Sequence, residues 1–243
     1  MAKKVLELNV DFKDQSKSGD NGSFSLQPLE RGYGTTIGNA MRRVLLTSIP
    51  GAAITHVKID GVQHEFSTID GVKEDVADII MNLKKVRFKL MDSAPDKVTL
   101  SIKGKKSFTA QDIQNASDQF EVLNPGEYIT EVNSKGKLDI ELRIGIGKGY
   151  VPSEANDMPN LSVGTLSIDS IFNPVTNVTF NVQPVPGAKD PIEILSLHVT
   201  TDGSITAKDA VSYTATYLRE HFKFIEAISN PSVLEITDGV SDE

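Results

Sequence analysis

A chain of 243 residues with 25 basic and 33 acidic side chains carries a formal charge of −8, which excludes a chain-wide basic footprint for nucleic acid. Zero cysteines exclude disulfides, thiolate metal sites and cysteine nucleophiles together. The apolar fraction of 39% can build a core. No run approaches the ~18 apolar residues of a membrane span, and the start, Met1 to Glu7, meets a carboxylate too early for a signal peptide. The expectation is a soluble, cytoplasmic protein without membrane contact.

The segment Val5–Leu29, interrupted by the polar stretch Lys13–Gly22, predicts a hairpin with Ser23-Phe24-Ser25-Leu26 in its second arm. In Glu30-Arg31-Gly32-Tyr33-Gly34-Thr35-Thr36-Ile37-Gly38-Asn39-Ala40-Met41-Arg42-Arg43-Val44-Leu45-Leu46, two glycines permit a tight turn and Thr35 or Thr36 offers a helix N-cap. The helix should run to about Ser48, ahead of Pro50-Gly51. At 100° per residue, Ile37, Ala40, Met41, Val44, Leu45 and Ser48 form a stripe suited to burial. The opposite side carries Asn39, Arg42, Arg43 and Leu46. That leucine is either an ordinary exposed residue or the knob of a docking face gripped by guanidinium forks.

Beyond Ala52 the pattern shortens. Ile54–Ile59 alternates up to the turn pair Asp60-Gly61, and Asp70–Leu83 reads as helix through Val72, Val76, Ile79, Ile80 and Leu83. Strands are predicted at Arg87–Met91, Lys97–Ile102, Glu127–Val132, Lys137–Ile144, Leu166–Ile171, Val175–Asn181 and Ile194–Thr200. Thr206-x-x-Asp209 resembles a capping box opening a helix to about Ile228. In it Val211, Ala215, Leu218, Phe222 and Ile225 step as a heptad seam, which could pack on its own sheet or on a second copy. Burying ten such side chains between two copies, at ~1.5–3 kcal/mol each, outweighs most of a ~4–15 kcal/mol association penalty. From Glu226 to Glu243 five acids and no Lys or Arg make an acidic tail.

No catalytic set emerges. Gly145-Ile146-Gly147-Lys148-Gly149-Tyr150 invites a phosphate loop, but Lys148 is followed by Gly149 and Tyr150, and Val151-Pro152 resists the helix such a loop needs, so a flexible turn is expected. His56, His64, His198 and His221 lack metal-ligand spacing, and Asp70, Glu74, Asp75 and Asp78 read as a solvated helix face. The basic patches Lys84–Lys89 and Lys103–Lys106 read as solvated faces, with duplex DNA as the competing use. The reading is of no cofactor and no metal, with an independent phosphate-handling enzyme as the alternative.

The run Leu29–Leu46 resembles the signature of the bacterial RNA polymerase alpha subunit, N-terminal domain. Supporting matches in the family's order are Ile59–Thr68, Asn82-Leu83-Lys84, Gly147–Pro152 and Asn173-Pro174-Val175. The resemblance covers about Val5 to Ile228 and implies an α+β fold. A discontinuous dimerisation domain from 1–50 and 173–229 would be interrupted by an inserted β-rich domain at 51–172, with 230–243 as acidic tail or linker start. It implies a homodimer that nucleates polymerase assembly by holding the beta and beta-prime subunits, with omega and sigma in the complete enzyme, little direct DNA contact and no catalytic residue. Carried over residue by residue, Arg43, Leu46 and Lys84 would contact beta, and Ile168, Asp169 and Val175 beta-prime. Ile37, Met41, Val44, Leu45, Val211, Ala215, Leu218, Phe222 and Ile225 would form the dimer interface. The DNA-binding C-terminal module of the family is not matched by any residue here, so its contacts are not carried over.

Overall fold

The computed structural model describes residues 9–90, 97–104, 106–156 and 161–228. The expected strand start at Val5, Met91 and the stretch 230–243 lie outside the described residues. The chain is α+β, mostly sheet with four α-helices among the described residues, none of which is long and apolar enough to cross a membrane. Two compact units form: one from the described parts of Met1–Ile49, Asn177–Thr200 and Thr206–Glu243, the other from Pro50–Thr176 with Thr201–Ile205.

The first unit carries a four-stranded sheet. Its strands are β1 (Asn9–Asp14), β2 (Asn21–Glu30), β13 (Val175–Pro184) and β14 (Ile192–Thr201), in the order β1-β2-β14-β13. Antiparallel register sets Phe12 opposite Phe24 and Leu197 opposite Phe24 on the other side, and the Phe12 and Phe24 rings lie 4.7 Å apart. Leu195, Leu197 and Val199 are buried at every second position, as one covered sheet face requires. The covering helices are α1 (Tyr33–Thr47) and α4 (Ala207–Glu226), which touch each other and β2.

The motif glycines of α1 serve close packing. A Cβ on Gly34 would sit 2.7 Å from Val182, and one on Gly38 would sit 2.6 Å from the Phe180 ring, so only glycine lets α1 lie this near β13. Neither Thr35 nor Thr36 caps the helix. The N-cap is Gly32, at φ 89°, and the free amides find a carboxylate from another strand.

The second unit holds β3 (Pro50–Ile59), β4 (Phe88–Leu90), β5 (Val98–Lys103), β7 (Phe120–Val122) and β9 (Lys137–Lys148) in the order β5-β9-β3-β4-β7, with β11 (Thr165–Ser167) on β3. Two ribbons accompany them: β6 (Lys106–Thr109) with β8 (Tyr128–Val132), and β10 (Tyr150–Val151) with β12 (Ser170–Ile171). The helices α2 (Val76–Leu83) and α3 (Ala110–Gln114) complete it. Val76, Ile79 and Leu83 join Val57, Phe88, Phe108, Ile113, Phe120, Ile129 and Leu142 in one core.

Two further expectations need correction, and three short elements went unread. The helix expected from Asp70 starts at Val76, because Gly71 sits at φ 82° and Asp75 caps the amide of Asp78 at 2.8 Å. The stretch expected as a flexible turn is strand: Gly145 to Lys148 pair with Ala53 to Pro50, and the chain turns only at Gly149, φ 63°. The elements β6, α3 and β7 carry three to five residues each, too few to show a period in sequence.

Candidate subunit-docking surfaces

At the start of α1 the Glu193 carboxylate accepts from the amides of Gly32 at 3.0 Å and Gly34 at 3.2 Å. A register shift between Glu193 and Leu195 in the β14–β2 pairing locally re-aims the strand. An anion at a helix N-terminus satisfies orphan donors and opposes the helix dipole, which replaces the absent side-chain cap. Nothing in the sequence pointed to Glu193, which lies one residue before the strand predicted at Ile194–Thr200 and inside β14 in the structure.

Along the outer side of α1, Arg43 is exposed and Leu46 half-buried. Arg42 is tied down, its Nε donating to the Val178 carbonyl at 3.1 Å. The Arg43 guanidinium forms no ion pair among the described residues. On the stripe, Ile37 is half-buried, whereas Met41 and Val44 are each only 9% exposed and Leu45 is 0% exposed. Leu45 therefore has no side-chain surface to give a second copy and is core, a correction to its expected place in a dimer interface.

Helix α4 is capped as expected, Thr206 Oγ1 accepting from the Asp209 amide at 3.1 Å. Its inward residues are Ala207, Ala210 and Thr214, not the heptad seam. Val211 and Leu218 are half-buried and Ala215 is exposed. Towards the C-terminal end the helix is bare: Phe222 is 63% exposed, Ile225 61% and Ile228 82%, with Phe224 exposed beside them. Packing within the chain thus leaves the C-terminal part of the seam uncovered. Apolar exposure of this extent on one helix marks an interaction surface.

In the second unit Lys84 Nζ meets Asp169 Oδ2 at 3.0 Å, while Asp169 Oδ1 accepts from the Ser153 amide at 2.9 Å. The Lys84 hydrogen bond, then the Ser153 amide, hold the Asp169 carboxyl below its usual range. Residues expected to face two different partners are thus bonded to each other. Ile168 and Val175 are 3% and 2% exposed, and Ile168 donates its amide to the Thr55 carbonyl at 2.9 Å. Both are core residues; their expected direct contact with beta-prime is corrected, because their side chains have no surface to offer.

The basic patch is largely engaged. Lys85 Nζ donates to Asn82 Oδ1 at 3.0 Å and the Arg87 guanidinium to the Ile171 carbonyl at 3.2 Å, contacts within the chain that hold both cations in place. Lys106 pairs with Asp112 at 2.5 Å. Glu74 is no solvated face residue either. Burial pushes its carboxyl up, but hydrogen bonds from Thr130, Tyr128 and the Glu131 amide outweigh this and hold it low. Tyr128 in turn is pushed up to about 12 by desolvation and by its bond to Glu74.

The phosphate-handling alternative fails on geometry, since a paired strand cannot turn its amides round a phosphate. His56 is fully buried with Nδ1 2.9 Å from Thr55 Oγ1, and His64 bonds Ser67 at 3.1 Å. Among the described residues no three His, Asp or Glu side chains gather as a metal site.

Residues 57–173 match the family described as the RNA polymerase Rpb3/RpoA insert domain. Most of the chain is similar to proteins named DNA-directed RNA polymerase subunit alpha. The relative from Chloroherpeton thalassium is 46% identical over 238 residues, covering 98% of this chain and 72% of the relative. That from Salinibacter ruber is 50% identical over 225 residues, and that from Chlorobaculum tepidum 48%, each covering 92% of this chain and 69% of the relative.

Proposed function

Because the chain belongs to the DNA-directed RNA polymerase alpha subunit family, and so is a subunit of that transcription complex, we propose that it is the homodimeric scaffold on which the beta and beta-prime subunits assemble. In this reading the first unit is the dimerisation domain and the second the inserted domain. The subunit works in the cytoplasm, contributes no catalytic group, and is joined by omega and sigma in the complete enzyme. The observation that carries the reading is the bare C-terminal half of α4, where Phe222 and Ile225 stand more than 60% exposed along the heptad seam.

Two copies meeting along that seam would cover four such side chains, at ~1.5–3 kcal/mol each, in addition to the half-buried Val211 and Leu218. With α4 sealed in the dimer, the outer side of α1, with Arg43 and Leu46, stays available to beta. The test is co-purification of the full chain with tagged beta and beta-prime, beside light scattering of the chain alone. The double substitution Phe222→Asp with Ile225→Asp should give folded monomers that no longer recruit both large subunits. A parent chain that is monomeric at micromolar concentration would refute the scaffold, as would turnover of nucleotides by the chain alone.

A further inference from the structure

On a helix surface the neighbours of a residue stand three and four positions away on either side. For His221 on α4 these are Tyr217, Leu218, Phe224 and Ile225, all apolar or aromatic. Phe224 and Ile225 are exposed, Tyr217 and Leu218 half-buried, and His221 itself is exposed. An imidazole thus stands in the middle of the bare end of α4. Any surface that covers Phe224 and Ile225 has to cover His221 with them.

The free chain tolerates a second proton on this ring. His221 Nδ1 lies 2.8 Å from the Tyr217 carbonyl, which can only accept, so Nδ1 carries the hydrogen of the neutral ring and Nε2 takes the added proton. Solvent reaches the imidazole, and the π electrons of the Tyr217 ring, 4.2 Å away between centroids, attract a cation. A covering surface would take that charge out of water with little acid to meet it. The elements packed on α4 are α1 and β2. Their charged and titratable residues are Tyr33, Arg42 and Arg43 on α1 and Glu30 on β2. On α4 itself stand Lys208, Asp209, Tyr213, Tyr217, Arg219, Glu220, Lys223 and Glu226. Glu220 is held by Arg219 and Lys223, each at 3.1 Å, and Asp209 by the Thr206 cap. His221 forms no ion pair among the described residues.

We propose that His221 makes self-association of this chain depend on pH: two copies pair through the bare end of α4 while the imidazole is neutral and come apart when it is protonated. The proposal rests on the scaffold reading and adds a regulation to its dimer contact. The occupant is a second copy, because Ile225 belongs both to this patch and to the heptad seam. Burial in an apolar contact disfavours the charged ring, so the separated chains bind more protons than the pair. By linkage the pair holds above histidine's ordinary value of about 6.5 and loosens as pH falls through it. One pH unit below that value each excluded proton costs about tenfold, and a symmetric pair excludes two.

The experiment is sedimentation equilibrium of the full chain across histidine's titration range, with circular dichroism to show that every sample is folded. The dimer dissociation constant of the parent should rise by about tenfold to a hundredfold between about pH 8 and about pH 5.5, a window in which ordinary carboxylates do not titrate. His221→Gln should stay dimeric with a flat profile. His221→Lys, with a fixed charge, should associate weakly throughout. A parent equally dimeric across the window would overturn the switch and leave the scaffold reading standing, as would full association of His221→Lys. A pH profile that persists in His221→Gln would overturn it by moving the cause to other groups. Tighter association in acid would overturn it too, by showing that a carboxylate such as Glu226 receives the imidazolium across the contact. A parent that is monomeric at every pH would sink both readings together.

Discussion

Two carboxylates do work at a distance from the surfaces they support. Glu193 satisfies two amides at the start of α1, so Glu193→Ala should cost about 1–3 kcal/mol. For a chain of this size that is a fall in melting temperature of roughly 2–4 °C per kcal/mol, read by thermal denaturation. Asp169 makes a claim on pH. A carboxyl held below its ordinary value of 3.8 stabilises the fold above that pH and loses the contribution as pH falls through the depressed value. Asp169→Asn should therefore lower the urea midpoint at neutral pH, and the gap to the parent should close below pH 3.8. A gap that stays constant with pH would show that charge is not the cause.

At the scale of elements, α1 owes its place to missing side chains. Gly38→Ala puts a methyl 2.6 Å from the Phe180 ring, and the resulting overpacking should destabilise by about 1–3 kcal/mol despite alanine's better helix propensity. Guanidinium unfolding of the variant checks both sign and size. The sequence made α1 and α4 legible because each carries several turns of periodic apolar residues, and Thr206 with Asp209 announces the second. It misled over Gly145–Lys148, where glycines read as a turn but are strand residues lying against neighbours such as Thr55 and Phe172. Composition alone cannot tell a glycine chosen for conformation from one chosen for closeness. The docking residues split in the same way. Arg43 on a helix angle was readable, whereas the burial of Leu45, Ile168 and Val175 depends on strands far away in the chain.

For the whole molecule, the proposed dimer contact along the bare end of α4 and the proposed capture of beta through Arg43 should separate. Arg43→Ala removes an exposed guanidinium from α1 without touching α4, so light scattering should still find a dimer. Capture of beta should weaken by roughly 2–5 kcal/mol if the charge is desolvated on docking. Loss of the dimer in this variant would mean the two surfaces are not independent.

The split of the first unit across the sequence also sets an order in time. During translation nearly all of the second unit, Pro50–Thr176, leaves the ribosome before β14 exists, whereas β2 must wait for β14 and α4, some 160 positions downstream. The nascent chain thus holds an unfinished half-sheet while the strands of the second unit are already made, and the apolar end of α4 emerges only after all the described strands. Pairing along α4, if it follows the proposed seam, therefore cannot start until the strands of both units have been synthesised, which spares the half-made sheets from tangling on the polysome.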